Sequence, residues 1–249
     1  MPSHPNVTLV RARAIARERL HRVKEFTSRR TRVVHQGIQR SGTNYLRELL
    51  DYAGYFVVNG ADPARDSPRH KHFRWQDDKS SIVMDGAYRN DKHVDTIAAL
   101  NKTAGFRADD KHVVLFKEPS RWLSSIYEWG LKNQWTEPDA DFFGEPSLAP
   151  AWAREWDAYY SKWFDLAAQG SGRVHIVCYE SLAEHPKEQM AMIHAFLGEE
   201  GEVRIPAGGV VAEVAHSRRQ ASPRHLSALR SEFERVTSAV VTCDWQRYV

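Results

Sequence analysis

Between Val33 and Leu50 the chain sets out residue types that can hold a phosphate: Val33-Val34-His35-Gln36-Gly37-Ile38-Gln39-Arg40-Ser41-Gly42-Thr43-Asn44-Tyr45-Leu46-Arg47-Glu48-Leu49-Leu50. The opening residues read as a short β-strand. Gly37 and Gly42 bracket a tight turn, and Leu46, Leu49 and Leu50 recur at helical spacing. A strand that leads through a glycine-bearing turn into a helix aims backbone N–H groups at an anion and places it at the positive end of the helix dipole. The spacing is close to the nucleotide loop G-x-x-x-x-G-K-[ST]. Thr43 stands at the lysine position, however, and Asn44 at the Ser/Thr position. That lysine serves the β- and γ-phosphates of a triphosphate, so its absence counts against triphosphate chemistry. Arg40 supplies a cation inside the turn instead, and Ser41, Thr43 and Asn44 can donate hydrogen bonds to phosphate oxygens.

A second constellation runs Lys117-Glu118-Pro119-Ser120-Arg121-Trp122-Leu123-Ser124-Ser125-Ile126-Tyr127-Glu128-Trp129. The largely apolar run from His112 to Phe116 before it reads as a buried parallel strand. Lys117 ends that strand, and Pro119 falls in the first turn of the next helix, where its missing N–H costs nothing. Ser125 lies eight positions after Lys117, a little over two helical turns on, so a cation and a hydroxyl can converge on one phosphate. Ser124 is the alternative hydroxyl, which the spacing fits less well. A third group, His70-Lys71-His72, follows a polar loop with Gly60, Pro63 and Pro68. Histidine is suited to taking a proton near neutral pH, although with 12 histidines in the chain most have surface or structural places.

Arg40-Ser41-Gly42-Thr43-Asn44-Tyr45 resembles the first cofactor loop of the sulfotransferases that use 3′-phosphoadenosine 5′-phosphosulfate (PAPS). Lys117-x-Pro119 with Ser125 is similar to that family's 3′-phosphate motif, with lysine where most members carry arginine. Lysine gives up the bidentate guanidinium fork for a point charge. The 3′-phosphate separates PAPS from ATP, so this second motif is the more discriminating. The strand ending Cys178-Tyr179-Glu180, with Leu182, Pro186 and Phe196-Leu197-Gly198 after it, matches a further family passage. The resemblance covers roughly residues 30–200 and implies transfer of a sulfuryl group from PAPS to a hydroxyl or amine, with adenosine 3′,5′-bisphosphate as product and no metal. It implies that Arg40, Ser41, Gly42, Thr43 and Asn44 hold the 5′-phosphosulfate. Tyr45 then sits at the adenine-stacking position, and Tyr179 lies near the same base. Lys117 and Ser125 hold the 3′-phosphate, and Arg218 or Arg219 reaches it from a C-terminal loop. His72 is the base, and Arg40 offsets charge on the leaving phosphate. The acceptor implied is a small molecule or carbohydrate, with a glycolipid among the candidates. Residues 60–90 and 130–150 form its walls, and Trp75, Trp129 and Trp135 are placed either to stack on it or to pack. Two other classes stay open on the residues alone: a small-molecule or nucleoside kinase with a degenerate loop, and a non-catalytic nucleotide binder on the same fold.

These residues need a scaffold that brings strand ends together. Strands at about 32–36, 55–58, 112–117 and 173–178 alternate with helices, which predicts an α/β three-layer α/β/α domain with a mostly parallel central sheet, like the P-loop nucleotide-binding folds. Residues 1–249 read as one sulfotransferase-like domain, with residues 1–30 as a basic N-terminal helix extension. In that extension Leu9, Ala12, Ile15, Ala16, Leu20, Val23 and Phe26 interleave with Arg11, Arg13, Arg17, Arg19, Arg22 and Lys24, which predicts an amphipathic helix packed on the domain by its apolar face. Helices are expected over 92–104 and 223–238. Trp152, Trp156, Tyr159, Tyr160 and Trp163 form a stripe at helical spacing, expected in the core. Ser181 is expected to cap the turn after the fourth strand, and Gly198 to end the helix that follows.

Hydrophobic residues at 42% and charged ones at 27% are ordinary for a globular protein. A net charge of +3 permits a local anion site without arguing for nucleic acid. Two cysteines, Cys178 and Cys243, with the first inside a predicted strand, point to a reduced, cytoplasmic setting. There is no long apolar run of membrane-spanning length, no zinc-ligand spacing, no G-x-S-x-G elbow and no G-x-G-x-x-G fingerprint.

Overall fold

Strands β1 (Arg32–Gln36), β2 (Phe56–Val57), β3 (His112–Phe116) and β4 (Val174–Cys178) form a sheet of order β2-β1-β3-β4, every neighbouring pair parallel. These coordinates come from a computed structural model, which describes residues 6–61, 63–64, 67–75, 94–134, 142, 148–207 and 229–249, and the side chains of residues 13 and 15 onward among them. Val34 pairs with His112, and Gln36 with Val114, so β1 and β3 end side by side.

Successive residues of a strand face opposite ways, and both faces here are apolar. Val33, Val57, Val113, Leu115 and Val177 enter one cluster. There they meet Leu46, Leu49 and Leu50 of α2 (Thr43–Ala53), Leu182 of α6 (Tyr179–Glu184), and Met190 and Ile193 of α7 (Pro186–Leu197). Val34, Phe56, Val114, Phe116 and Ile176 enter the other. That face is covered by α3 (Ile97–Ala104), α4 (Pro119–Asn133), α5 (Leu148–Ala168) and α8 (Arg230–Val240). The result is the expected three-layer α/β architecture with a parallel sheet.

The local signals explain most of the boundaries. Thr96 caps α3 by accepting from the Ala99 N–H at 3.2 Å, so the helix starts later than the expected residue 92. Pro119 opens α4, and left-handed Gly198 closes α7. Ser181 is a correction. It lies inside α6, and its carbonyl accepts from His185 N, while α7 starts at Pro186 without a side-chain cap. Strand β2 is two residues long rather than four. The expected terminal helix begins at Arg230; positions 223–228 lie outside the described residues.

Helix α1 (Asn6–Thr27) also departs from expectation. It docks through polar residues: His21 Nε2 lies 2.8 Å from the Val57 carbonyl, and its ring stacks on Phe56. Glu25 is buried, accepting from Arg32 at 2.8 Å and from Arg69 at 2.6 Å. Buried Arg69 has no partner among the described residues as favourable as this carboxylate, and part-buried Arg32, itself paired with Asp110 at 2.7 Å, holds it from the other side. The apolar residues Ile15, Leu20, Val23 and Phe26 therefore face outward.

Sheet order places the site. From β1 the chain crosses to β2 through α2 on one face; from β3 it crosses to β4 through α4 and α5 on the other. Open α/β sheets bind ligands in the crevice where the direction reverses, at the carboxyl ends of the strands. Here those ends are Gln36 and Phe116, and the two sequence constellations follow them directly.

Candidate active site

Gly37 follows β1 with no room for a side chain. A Cβ there would lie 2.5 Å from the Leu115 carbonyl oxygen and 2.8 Å from Ser41 Oγ. The turn closes on itself: Ser41 Oγ donates to the Ile38 carbonyl at 2.6 Å. Arg40 is left-handed at φ 68° and exposed, and Gly42 is left-handed at φ 93° immediately before α2. A Cβ on Gly42 would meet the Tyr179 ring at 2.3 Å, so the loop and the β4 end are in direct contact. No side chain caps α2, and the N–H groups of its first turn face the loop. Thr43 is buried and Asn44 exposed.

The loop is held from outside by side chains of the aromatic stripe and its neighbours. Tyr160 OH donates to the Leu115 carbonyl at 2.9 Å and accepts from Ile38 N at 3.3 Å. Trp122 Nε1 donates to the Gln39 carbonyl at 2.8 Å. Arg74 is buried, ion-paired with Glu155, and bonded to the Gln39 side chain at 2.7 Å and the His72 carbonyl at 2.8 Å. Trp152, Trp156, Tyr159, Tyr160 and Trp163 are buried as expected, and one of them also fixes the loop. Trp75 is wholly buried against Phe73, and Trp129 packs on the core; Trp135 lies outside the described residues.

The His70-Lys71-His72 segment comes directly onto this turn. The Gly37 N–H donates to the Lys71 carbonyl at 3.1 Å, and His72 Nδ1 lies 2.5 Å from the Gly37 carbonyl. A carbonyl can only accept, so Nδ1 carries the proton and the ring's lone pair is on Nε2. Burial, and then the neighbouring His70, hold His72 well below the usual imidazole range, so the ring is neutral at pH 7. His70 is buried, its Nδ1 accepting from the His72 N–H at 3.1 Å.

Lys71 is the residue that sequence reading left without a role. It is buried, and its Nζ donates to Asn44 Oδ1 at 2.7 Å, at the first turn of α2. An ammonium thus stands beside the loop that lacks the usual lysine, contributed by a segment 27 residues further along. The missing cation at Thr43 was the available signal, since a phosphate loop without its lysine invites a search for one elsewhere.

At the β3 end Lys117 Nζ donates to Ser125 Oγ at 3.2 Å and lies 4.5 Å from the centre of the Tyr179 ring. Ser125 donates in turn to the Arg121 carbonyl at 3.1 Å. Burial lowers the Lys117 ammonium to about 8; Glu180 opposes the shift and Arg40 reinforces it. Glu128 is raised by burial, against the pull of Arg40 and Lys117. Glu180 is fixed by the Glu118 N–H at 3.2 Å. Tyr45 is buried and meets Tyr179 edge-on at 6.3 Å, leaving half-buried Tyr179 as the accessible ring of the two. The structure therefore places Arg40 to Tyr45, His72, Lys117, Ser125 and Tyr179 around the adjoining carboxyl ends of β1 and β3. Arg218 and Arg219 lie outside the described residues.

The chain is similar in structure to sulfotransferases. A sulfotransferase from Alicyclobacillus acidocaldarius matches at 15% identity and a TM-score of 0.42, over 89% of this chain and 99% of that one. A mouse sulfotransferase complexed with PAP matches at 12% identity and a TM-score of 0.37, over 89% of this chain and 79% of that one. No family model matches the sequence, and neither does any curated protein sequence.

Proposed function

We propose that this chain is a PAPS-dependent sulfotransferase acting on a hydroxyl or amine acceptor. The observation that supports the reading is the pairing of two groups of potential anion donors at neighbouring strand ends. The loop between Gly37 and Asn44 offers backbone donors, and Lys117 with Ser125 offers a second cation and hydroxyl at 3.2 Å from each other. Tyr179 touches both, with Gly42 on one side and the Lys117 ammonium 4.5 Å from its ring. A nucleotide with phosphate on both its 5′ and 3′ oxygens has that pattern; ATP does not.

The residues fit such a ligand. Gly42 lacks the Cβ that would fill the space beside Tyr179, and Lys117 has the short reach to a hydroxyl partner that a shared phosphate needs. Arg40, Ser41, Gly42, Thr43 and Asn44 hold the 5′ end, Lys117 and Ser125 the 3′-phosphate, and Tyr179 with Tyr45 the base. When bound, PAPS supplies a sulfuryl group whose departure leaves charge on a phosphate oxygen. Arg40, exposed in the turn, offsets that charge. His72, neutral and with Nδ1 committed to Gly37, takes the acceptor proton on Nε2. Positioning and charge stabilisation carry most of such a reaction. A small molecule, carbohydrate or glycolipid acceptor suits this chemistry, and a cytoplasmic enzyme is the setting we propose.

Calorimetry with adenosine 3′,5′-bisphosphate, AMP and ATP tests the reading. Tight binding that depends on the 3′-phosphate is expected. One observation favours a second outcome: Lys71 restores an ammonium to the loop, the part whose absence counted against a kinase. Preference for ATP over the 3′,5′-bisphosphate would replace the sulfotransferase reading with the kinase.

A further inference from the structure

Helix α1 turns its apolar side to water. Phe26 is 80% exposed, Val23 61%, Leu20 58% and Ile15 46%. At about 100° per residue these four and Ala16 share an arc of roughly 140°, opposite the Glu18, His21 and Glu25 side that docks on the domain. The charges are sorted the same way. Within the first 31 residues the acids are Glu18 and Glu25. Glu25 is buried against Arg32 and Arg69, and Glu18 is paired with Arg22 at 3.0 Å. Arg13, Arg17, Arg19 and Lys24 are exposed. Arg22 borders one edge of the apolar arc, Arg13, Lys24 and Arg17 the other, and Arg19 falls within it.

We infer that α1 docks this enzyme on an anionic phospholipid surface, with Phe26, Val23, Leu20 and Ile15 entering the boundary between headgroups and acyl chains. Cations flanking an apolar arc are what such a surface recognises. A second copy of the chain fits less well, because it would bring the same cations against each other. Arg19 within the arc would also break a dry helix–helix seam, whereas at a headgroup layer its long stem lies along apolar surface and its guanidinium reaches phosphate. The helix lies on the bilayer and does not cross it; among the described residues no helix is long and apolar enough to do so.

Flotation of the full chain with phosphatidylcholine vesicles, with and without phosphatidylserine, decides this. Binding is expected to the phosphatidylserine vesicles alone and to fall with added salt. Replacing two cations together, Arg19→Gln with Lys24→Gln, should weaken it roughly thirtyfold, at about fivefold per charge. Val23→Ser with Phe26→Ser should weaken it on the order of tenfold or more, with the thermal midpoint of both variants near that of the parent. Should the serine pair unfold the chain, the glutamine pair still tests the charge requirement. No binding to either vesicle, or equal binding to both, overturns the proposal. So does a dimer in sedimentation that Phe26→Ser dissociates, which would assign the face to a second copy.

Discussion

In the proposed site, the turn after β1 and the strand end at Lys117 would hold anions by different means. The turn works with backbone: a glycine at each end, a hydroxyl bonded back to Ile38, and an exposed arginine. Its competence is a matter of shape. The strand end works with a side chain withdrawn from water, an ammonium lowered to about 8 and steadied by Ser125 and the Tyr179 ring. Its competence is a matter of charge. One region should therefore fail when its geometry changes, and the other when its protonation or donors change.

The largest effect is expected at the histidine hung from the turn. With nucleotide binding intact, His72→Ala should lower sulfuryl transfer by about 10²–10⁴-fold, the usual range for losing a general base. Because burial holds this imidazole well below its ordinary range, the working neutral form persists as pH falls. The parent rate should stay level from pH 7 down through 6.5; a drop centred near 6.5 would show that burial does not hold the working base low.

Gly42→Ala tests the shape of the turn. The left-handed backbone at φ 93° and the overlap with Tyr179 should together cost about 2–5 kcal/mol of stability in denaturant unfolding. Affinity for both AMP and the 3′,5′-bisphosphate should fall together. Adding Tyr179→Ala relieves the overlap but not the backbone strain, so it should restore part of the stability. Full restoration would show that conformation does not matter there.

Lys117→Met tests the charge. Losing a charged hydrogen bond costs about 1.5–3 kcal/mol, roughly tenfold to a hundredfold, and the loss should fall on the 3′,5′-bisphosphate while AMP is nearly spared. Parallel losses would move the 3′-phosphate elsewhere. The same lysine sets a pH signature. It is charged below about 8 and loses its proton above it, whereas a bound phosphate favours the charged form. Affinity for the bisphosphate should decline as pH rises through 8, by up to tenfold per unit, and AMP should show no such decline. Stability of the unliganded chain runs the opposite way. Between about 8 and 10.5 the unfolded chain binds the proton that the folded one has released, so Lys117 makes stability rise with pH there.

The sequence showed most of these parts because their geometry is local. The strand, turn and helix of residues 33–50 follow from glycine placement and leucine spacing. Lys117 and Ser125 meet because a helix fixes what eight residues span. What stayed hidden depends on distant partners. Lys71 reaches Asn44 from a polar loop with no periodicity to place it. Tyr160 reads as core and is core, but its hydroxyl also ties Leu115 to Ile38. In α1 the periodicity identified an apolar face correctly. It could not say that Arg32 at the start of β1 and Arg69, 44 residues from Glu25, would claim that carboxylate and turn the apolar face outward.

Ser124 and Ser125 offer the finest comparison, since the two hydroxyls are adjacent and both are half-buried. Ser125 accepts from Lys117 and at present spends its own proton on the Arg121 carbonyl. To donate to a phosphate it has to rotate away from that carbonyl, which trades one neutral bond for one to an anion. The net gain is therefore modest. Ser125→Ala should weaken the 3′,5′-bisphosphate by roughly twofold to tenfold, about 0.5–1.5 kcal/mol, and leave AMP unchanged. Ser124→Ala should change neither. If the larger loss follows Ser124 instead, the eight-residue spacing from Lys117 is not what selects the hydroxyl, and the 3.2 Å contact serves to position the lysine.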